Sequence, residues 1–167
     1  MVTYKERTRK MKVKFVVDED FVNYYRPAMF IGFPNCSFKC DKENGSQICQ
    51  NSQLAREPNI EISIDDLIDR FIVNPISKSI VCGGLEPLDS YDDLIELIKK
   101  FRIYTDADIV IYTGYTEKEL GNKIDELASY HNIVIKFGRF IPNQQPHNDK
   151  VLGVKLASNN QYAKRYD

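Results

Sequence analysis

Three of the four cysteines in this 167-residue chain lie close together in a polar segment. Cys36, Cys40 and Cys49 have the spacing C-x3-C-x8-C, while Cys82 lies alone. Clustered cysteines in a chain with so few of them indicate metal binding rather than a disulfide framework. Three thiolates from one loop can bind three corners of a cubane iron–sulfur cluster and leave the fourth iron open for chemistry. The loop, residues 34–51, is therefore a candidate metal centre.

Two other interpretations of the cysteines stay open. Free cysteine is often a buried core residue, although three in one polar loop are hard to place in a core. A closed zinc site would need four ligands, and Cys82 could supply the fourth. The two histidines, His131 and His147, are far from the loop, so thiolates would be the main ligands of any metal there.

A second candidate site follows a short apolar strand, in the segment V-C-G-G-L-E-P. Gly83 and Gly84 let backbone approach a ligand closely, and Glu86 could accept a hydrogen bond from an ammonium group. The signal is weak, because a Gly-Gly pair is often only the end of a strand. The chain has neither a G-x-G-x-x-G dinucleotide loop nor a P-loop. We interpret Cys82 as a small core residue of the strand.

Alternating apolar segments predict the elements that position these residues. Short apolar runs predict six strands: Val13–Val17, Ala28–Phe33, Ser79–Cys82, Ile109–Tyr112, Ile133–Phe137 and, as a last candidate, Val151–Leu156. Apolar residues at helical spacing follow three N-cap residues, Ser63, Ser90 and Thr116.

Strands that alternate with helices predict an α/β fold, a mainly parallel sheet in a single domain spanning residues 1–167. Right-handed crossovers place the carboxyl ends of parallel strands at one edge, where ligands bind. Four segments follow the strands at that edge: 34–49, 83–88, 113–116 and 138–142. We therefore expect the cysteine loop and the Gly-Gly turn to share one site.

Composition argues against several functions. The net charge is −1, which disfavours binding to nucleic acid, and no apolar run approaches the roughly 20 residues of a membrane span. The N-terminal segment has no secretory signal, so we predict a soluble, cytoplasmic protein. His147 lies in a polar loop, 142–149, and is expected to be solvated.

Taken together, these segments resemble the radical S-adenosylmethionine superfamily, and most closely the small activating proteins of anaerobic (class III) ribonucleotide reductases. The residues Cys49-Gln50-Asn51 are similar to the Cys-x-Asn at the family's third ligand. The turn at residues 83–87 is similar to the family's Gly-Gly-Glu-Pro. The segments 111–116 (IYTGYT), 138–140 (GRF) and 156–161 (LASNNQ) resemble further segments of these activators.

The resemblance implies a partial, open (β/α) barrel in which Cys36, Cys40 and Cys49 bind a 4Fe-4S cluster. The open iron would bind S-adenosylmethionine, and seven residues would lie near that cofactor: Ile48, Gln50, Gly83, Gly84, Glu86, Thr113 and Gly114. A 5′-deoxyadenosyl radical would then form a glycyl radical on a partner enzyme, with the anaerobic reductase as the expected partner. Flavodoxin or ferredoxin would supply the electron.

Two features depart from the family pattern. Eight residues rather than two separate Cys40 from Cys49, and Leu85 is inserted between Gly84 and Glu86. Loops tolerate insertions at little cost, so the sulfurs can still converge. The displaced carboxylate motivates an alternative, a family member that has the fold and the cluster and has lost the reaction. The other alternative is a zinc-stabilised binding or regulatory module.

Overall fold

A computed structural model describes residues 9–45 and 51–167. The described chain contains ten strands: β1 Lys10–Val13, β2 Phe15–Asp20, β3 Ala28–Phe33, β4 Ile60–Ser63, β5 Ser79–Gly84, β6 Asp108–Tyr112, β7 Ile133–Phe137, β8 His147–Asp149, β9 Val154–Leu156 and β10 Tyr162–Tyr166. It contains six α-helices: α1 Lys39–Asn44, α2 Ser52–Arg56, α3 Ile64–Val73, α4 Tyr91–Tyr104, α5 Glu117–Leu120 and α6 Asn122–Ala128. A 3-10 turn, Pro87–Ser90, precedes α4.

The central sheet has six strands in the order β10-β7-β6-β5-β3-β2. β3, β5, β6 and β7 are parallel, and the two end strands, β2 and β10, are antiparallel to their neighbours. In the described part of the chain this sheet is open, and two antiparallel pairs, β1-β4 and β8-β9, lie beside it. The predicted α/β class with a mainly parallel sheet is confirmed.

Different elements cover the two faces of the central sheet. Side chains alternate along each strand, so each face presents its own set of residues. One face bears Ile31, Ile80, Ile109 and Ile135, which pack with residues of α3, α4 and α6 in the larger apolar cluster. The other face packs a smaller set against the β8-β9 pair and the loop before β3: Val81, Val110 and Val134 with Tyr24, Leu152 and Leu156. Leu156 of this smaller cluster also lines the cavity described below.

Two predicted helix starts are confirmed by their caps. The Ser63 side chain accepts a hydrogen bond from the backbone of Asp66 at 3.0 Å, and α3 begins at the next residue. Thr116 and Glu119 form a reciprocal capping box at α5. Ser90 is the N-cap of α4, although its side chain makes no capping bond. The helix predicted after Thr116 is divided, because Gly121 adopts a φ of +53° between α5 and α6.

The first and last predicted strands differ from the structure. Val13–Val17 is divided at Lys14, whose backbone donates to Gly32, so that β1 pairs with β4 and β2 pairs with β3. Only the end of Val151–Leu156 is a strand, because Asp149 accepts from the backbone of Val151 and Leu152 and closes a turn.

Several elements were absent from the sequence-based interpretation: β4, α1 and α2, and also β8 and β10. The loop containing His147 was expected to be solvated, whereas His147 is half-buried and begins β8. β10 reads YAKRY, with no continuous apolar run, because it is an edge strand with one side exposed. No described helix has the length and apolar character that a membrane span requires.

Candidate metal centre and ligand cavity

A cavity of about 440 Å³ lies at the carboxyl edge of the parallel strands. Segments that follow all four parallel strands contribute to its walls: Cys36 after β3, Gly83, Gly84 and Glu86 at β5, Thr113 and Gly114 after β6, and Gly138 and Arg139 after β7. The volume is within the roughly 300–1,000 Å³ of small-molecule sites. The structure therefore brings together, around one space, the predicted site residues whose side chains or glycine backbone it describes: Cys36, Gly83, Gly84, Glu86, Thr113 and Gly114.

The predicted metal ligands are described to different extents. The Cys36 side chain is half-buried, lines the cavity and accepts a hydrogen bond from the backbone of Phe38 at 3.3 Å. Cys40 lies in α1, and its side chain is not among those described. Cys49, with the predicted cofactor contacts Ile48 and Gln50, lies outside the described residues. Within residues 9–45 and 51–167, no three Cys, His, Asp or Glu side chains are grouped as metal ligands.

Asp89 fastens the start of the cysteine loop to the turn before α4. One Asp89 carboxylate oxygen accepts from the backbone N–H of Ser37 at 2.8 Å, and the other accepts from the Tyr115 hydroxyl at 2.5 Å. The carbonyl of Asn35 accepts from the backbone of Glu86 at 2.8 Å. These bonds lie on both sides of Cys36 in the chain, so they fix where its sulfur enters the cavity.

The Gly-Gly turn requires glycine at Gly84 and leaves little room for a side chain at Gly83. Gly84 has a φ of +81°, and a Cβ there would lie 2.8 Å from the Cα of Gly32. A Cβ at Gly83 would lie 2.8 Å from the Phe30 ring. The carbonyl of Gly84 accepts from the Asn51 side chain at 2.9 Å, which joins the last residue of the cysteine loop to the turn. Close backbone approach is therefore built into this wall of the cavity.

Glu86 joins the turn after β5 to the turn after β6. Its carboxylate accepts from the Thr113 hydroxyl at 2.8 Å, from the backbone of Gly114 at 2.8 Å and from the backbone of Leu88 at 3.0 Å. Burial raises the pKa of Glu86, and these hydrogen bonds oppose that rise. The described contacts of this carboxylate make it a brace between two walls; its predicted contact with a cofactor stays a prediction.

Sequence reasoning gave no role to the buried Lys136 of the cavity wall, and it named Arg139 only as part of the GRF segment. Lys136 is buried, its ammonium donates to the carbonyl of Gly138 at 3.0 Å, and it lies 5.8 Å from the centre of the Tyr112 ring. Arg139 binds Glu119 through both terminal nitrogens, at 2.7 and 2.5 Å, and also contacts Glu43 of α1 at 3.3 Å. A lysine within the apolar strand I-V-I-K-F was the available signal, since strand alternation places it opposite the helix-covered face.

Cys82 lies away from the cavity. It is fully buried among the residues that face the helices, and burial raises the pKa of its thiol to about 12. The interpretation of Cys82 as a core residue is therefore confirmed. Its neighbour Gly83 lines the cavity on the opposite face of β5, so the geometry opposes a closed zinc site that includes Cys82.

The fold and the site define an α/β protein with a cysteine loop at a ligand cavity, and comparison with known proteins identifies the class. A family model for a 4Fe-4S single cluster domain matches residues 25–162, a range that includes Cys36, Cys40 and Cys49. The chain belongs to the 4Fe-4S single cluster domain family. No curated protein and no solved structure matches it.

The described part of the site fits such a cluster. Thiolate is the ligand that iron–sulfur clusters take, and the Cys36 thiol lies at a cavity wall rather than in the core. The hydrogen bond from Phe38 to the Cys36 sulfur is of the kind that tunes a cluster's reduction potential.

Proposed function

We propose that this protein is a radical S-adenosylmethionine enzyme that forms a glycyl radical on a partner enzyme, with an anaerobic ribonucleotide reductase as the expected partner. One observation carries the proposal: Cys36 of the cysteine loop and the backbone of Gly83 and Gly84 line the same cavity. A cluster bound by this loop would therefore be adjacent to space for a small-molecule ligand.

The membership in the 4Fe-4S single cluster domain family supports the cluster itself. An open sheet of four parallel strands, with a cavity at the carboxyl edge, supports the partial (β/α) barrel that the resemblance implies. The segments that resemble the reductase activators also contribute to the cavity: Gly114 from IYTGYT, Arg139 and Phe140 from GRF, and Ala157 and Gln161 from LASNNQ.

The thiolates of Cys36, Cys40 and Cys49 would hold the cluster. When bound, a reduced cluster would supply the one electron that splits S-adenosylmethionine into methionine and a 5′-deoxyadenosyl radical, which would take a hydrogen atom from a glycine Cα and leave as 5′-deoxyadenosine. Flavodoxin or ferredoxin is the proposed electron donor. The protein supplies placement and the exclusion of water.

The chain's own residues perform that placement. Gly83 and Gly84 allow backbone to approach the methionine end of the ligand, and Glu86 holds this turn against Thr113 and Gly114. Aromatic side chains complete the apolar part of the wall: Phe15, Phe30, Tyr112 and Phe140.

Anaerobic reconstitution with iron and sulfide, followed by reduction in the presence of S-adenosylmethionine, tests the proposal. The wild-type protein should bind about four iron atoms per chain through three cysteines and should release 5′-deoxyadenosine. Cys49→Ala should lose both properties. Addition of a class III ribonucleotide reductase should then give a glycyl-radical signal in electron paramagnetic resonance.

The outcomes separate the alternatives. A protein that holds the cluster and releases no 5′-deoxyadenosine is a family member without the reaction. A colourless protein that binds one zinc ion, and loses it in Cys82→Ser, is a zinc-stabilised module. Release of 5′-deoxyadenosine without a glycyl radical on the reductase would leave the radical chemistry in place and exclude that partner.

A further inference from the structure

Helix α2 directly follows the cysteine loop, and none of its own five residues, Ser52–Arg56, is fully buried. A helix this short is not stable by itself in water. Its N-cap residue, Asn51, makes no side-chain capping bond and instead donates to the carbonyl of Gly84. The position of α2 therefore depends on polar contacts at its ends.

Lys14 supplies the contact at the carboxyl end of α2. Its ammonium donates to the carbonyl of Ala55 at 3.3 Å and also to the carbonyl of Glu57. The last carbonyls of a helix have no partner within the helix, and a lysine there also interacts favourably with the helix dipole. Lys14 is only 9% exposed, so most of this side chain is removed from water, and both bonds are partly buried.

Lys14 is itself fixed to the central sheet. Its backbone N–H donates to the carbonyl of Gly32 in β3 at 2.7 Å. Gly32 is the residue whose Cα lies against Gly84. The chain thus has two links from α2 to the same place in the sheet, one through Asn51 to Gly84 and one through Lys14 to Gly32.

These links matter for the cavity because α2 forms part of its wall. Asn51 and Leu54 both line the cavity, and Cys49 is two residues before Asn51 in the chain. We propose that Lys14 is a positioning residue: by holding the carboxyl end of α2, it sets the place of the cavity wall formed by Asn51 and Leu54. The link to catalysis rests on the proposed function above, whereas the link to α2 does not.

The chain offers a matched set of variants. Lys14→Met keeps the aliphatic stem and removes the donors, while Lys14→Arg keeps a cation that can reach the carbonyls. Lys12→Met is the control, because Lys12 is exposed and lies two residues away on β1.

Tryptic cleavage after Arg56 reports on α2 in the cluster-free protein. Arg56 is exposed, and cleavage there requires the end of the helix to open locally. Loss of charge-assisted bonds should make this cleavage roughly tenfold faster in Lys14→Met. Lys12→Met and Lys14→Arg should be cleaved at the wild-type rate. Equal rates in Lys14→Met and Lys12→Met would overturn the inference.

Assays of the reconstituted protein test whether Lys14 affects the binding of S-adenosylmethionine in the cavity. Lys14→Met should bind as much iron as the wild type, with a KM for S-adenosylmethionine raised roughly tenfold and an altered electron paramagnetic resonance change on cofactor addition. Lys14→Arg should restore both. A wild-type KM in Lys14→Met would refute the positioning role. A wild type that cleaves no S-adenosylmethionine would refute the proposed function and its catalytic link to Lys14, while the tryptic assay still decides whether Lys14 holds α2.

Discussion

Replacing Glu86 by glutamine tests the brace between the two glycine-containing turns. Three donors converge on the Glu86 carboxylate: the backbone of Leu88, the backbone of Gly114 and the Thr113 hydroxyl. A glutamine amide has one oxygen and one NH2 group in the same space. Whichever way the amide is turned, its NH2 faces a backbone N–H, of Leu88 or of Gly114. One buried N–H is therefore left without an acceptor.

The expected cost is about 2 kcal/mol in the free energy of unfolding, because an unpaired buried donor costs about 1–3 kcal/mol. The pH dependence follows from the pKa of Glu86, which burial raises in the folded protein. A protonated carboxyl can donate to Thr113 and still accept from both backbone groups. The folded protein thus favours the protonated form of Glu86. The contribution of Glu86 to the free energy of unfolding is therefore complete below the pKa of the unfolded chain, and it declines as the pH rises through the pKa of the folded protein.

Urea unfolding followed by circular dichroism measures this difference, since the chain contains no tryptophan for fluorescence. Glu96→Gln is a suitable control, because Glu96 lies on the surface of α4, 3.8 Å from Lys99. The gap between the wild type and Glu86→Gln should be largest at acidic pH and narrower at alkaline pH. An unfolding free energy within about 0.5 kcal/mol of the wild type at every pH would refute the brace.

Three further predictions concern Gly84, Glu119 and Cys82. Gly84→Ala should lower the free energy of unfolding by more than about 2 kcal/mol, because its Cβ would meet the backbone of Gly32. Gly45→Ala, where no described atom lies within 4 Å of the added Cβ, should lower it by about 1 kcal/mol in the same urea titration. Equal losses in the two variants would contradict the crowding argument. The Arg139 guanidinium lowers the pKa of Glu119 to about 2. The free energy of unfolding of the wild type should therefore exceed that of Glu119→Gln by about 1 kcal/mol after solvent screening above pH 4.5, and this difference should vanish toward pH 2. A difference that is constant with pH would contradict the prediction. Cys82→Ala should keep its iron after reconstitution, and iron loss measured by colorimetric assay would show that Cys82 is a ligand.

Much of the fold is encoded in local patterns that a single sequence displays. The buried parallel strands, such as Ile109–Tyr112 and Ile133–Phe137, are short apolar runs because both of their faces are covered. The caps at Ser63 and Thr116 mark helix starts through their own side chains. The convergence of the strand-end loops follows from parallel topology and needs no further information.

The elements that were missed depend on contacts distant in sequence. β10 is an edge strand whose pairing with β7 is decided by tertiary structure rather than by its own pattern. The division of Val13–Val17 arises because Lys14 bonds to Gly32 and to α2, neither of which a local pattern reveals.

The candidate site likewise contains residues that the sequence identifies and residues that it does not. Cys36, Gly83 and Gly84 were identifiable because chemistry and backbone freedom restrict those residue types. The brace formed by Glu86 could not be predicted, since it depends on the distance between two turns that only the folded sheet brings together. Asp89, which holds the cysteine loop, is a surface residue type with no local signature. Arg139 lies in the GRF segment, but its ion pair with Glu43 of α1 depends on residues distant in sequence.

The central claim is that the cysteine loop holds a 4Fe-4S cluster beside the cavity, and Mössbauer spectroscopy of protein reconstituted with 57Fe tests it most directly. The account predicts the spectrum of a cubane cluster in the wild type and in Cys82→Ala, a marked loss of that spectrum in Cys36→Ala, and a change at one iron site when S-adenosylmethionine is added. A cubane spectrum that persists in Cys36→Ala, or one that disappears only in Cys82→Ala, would contradict it.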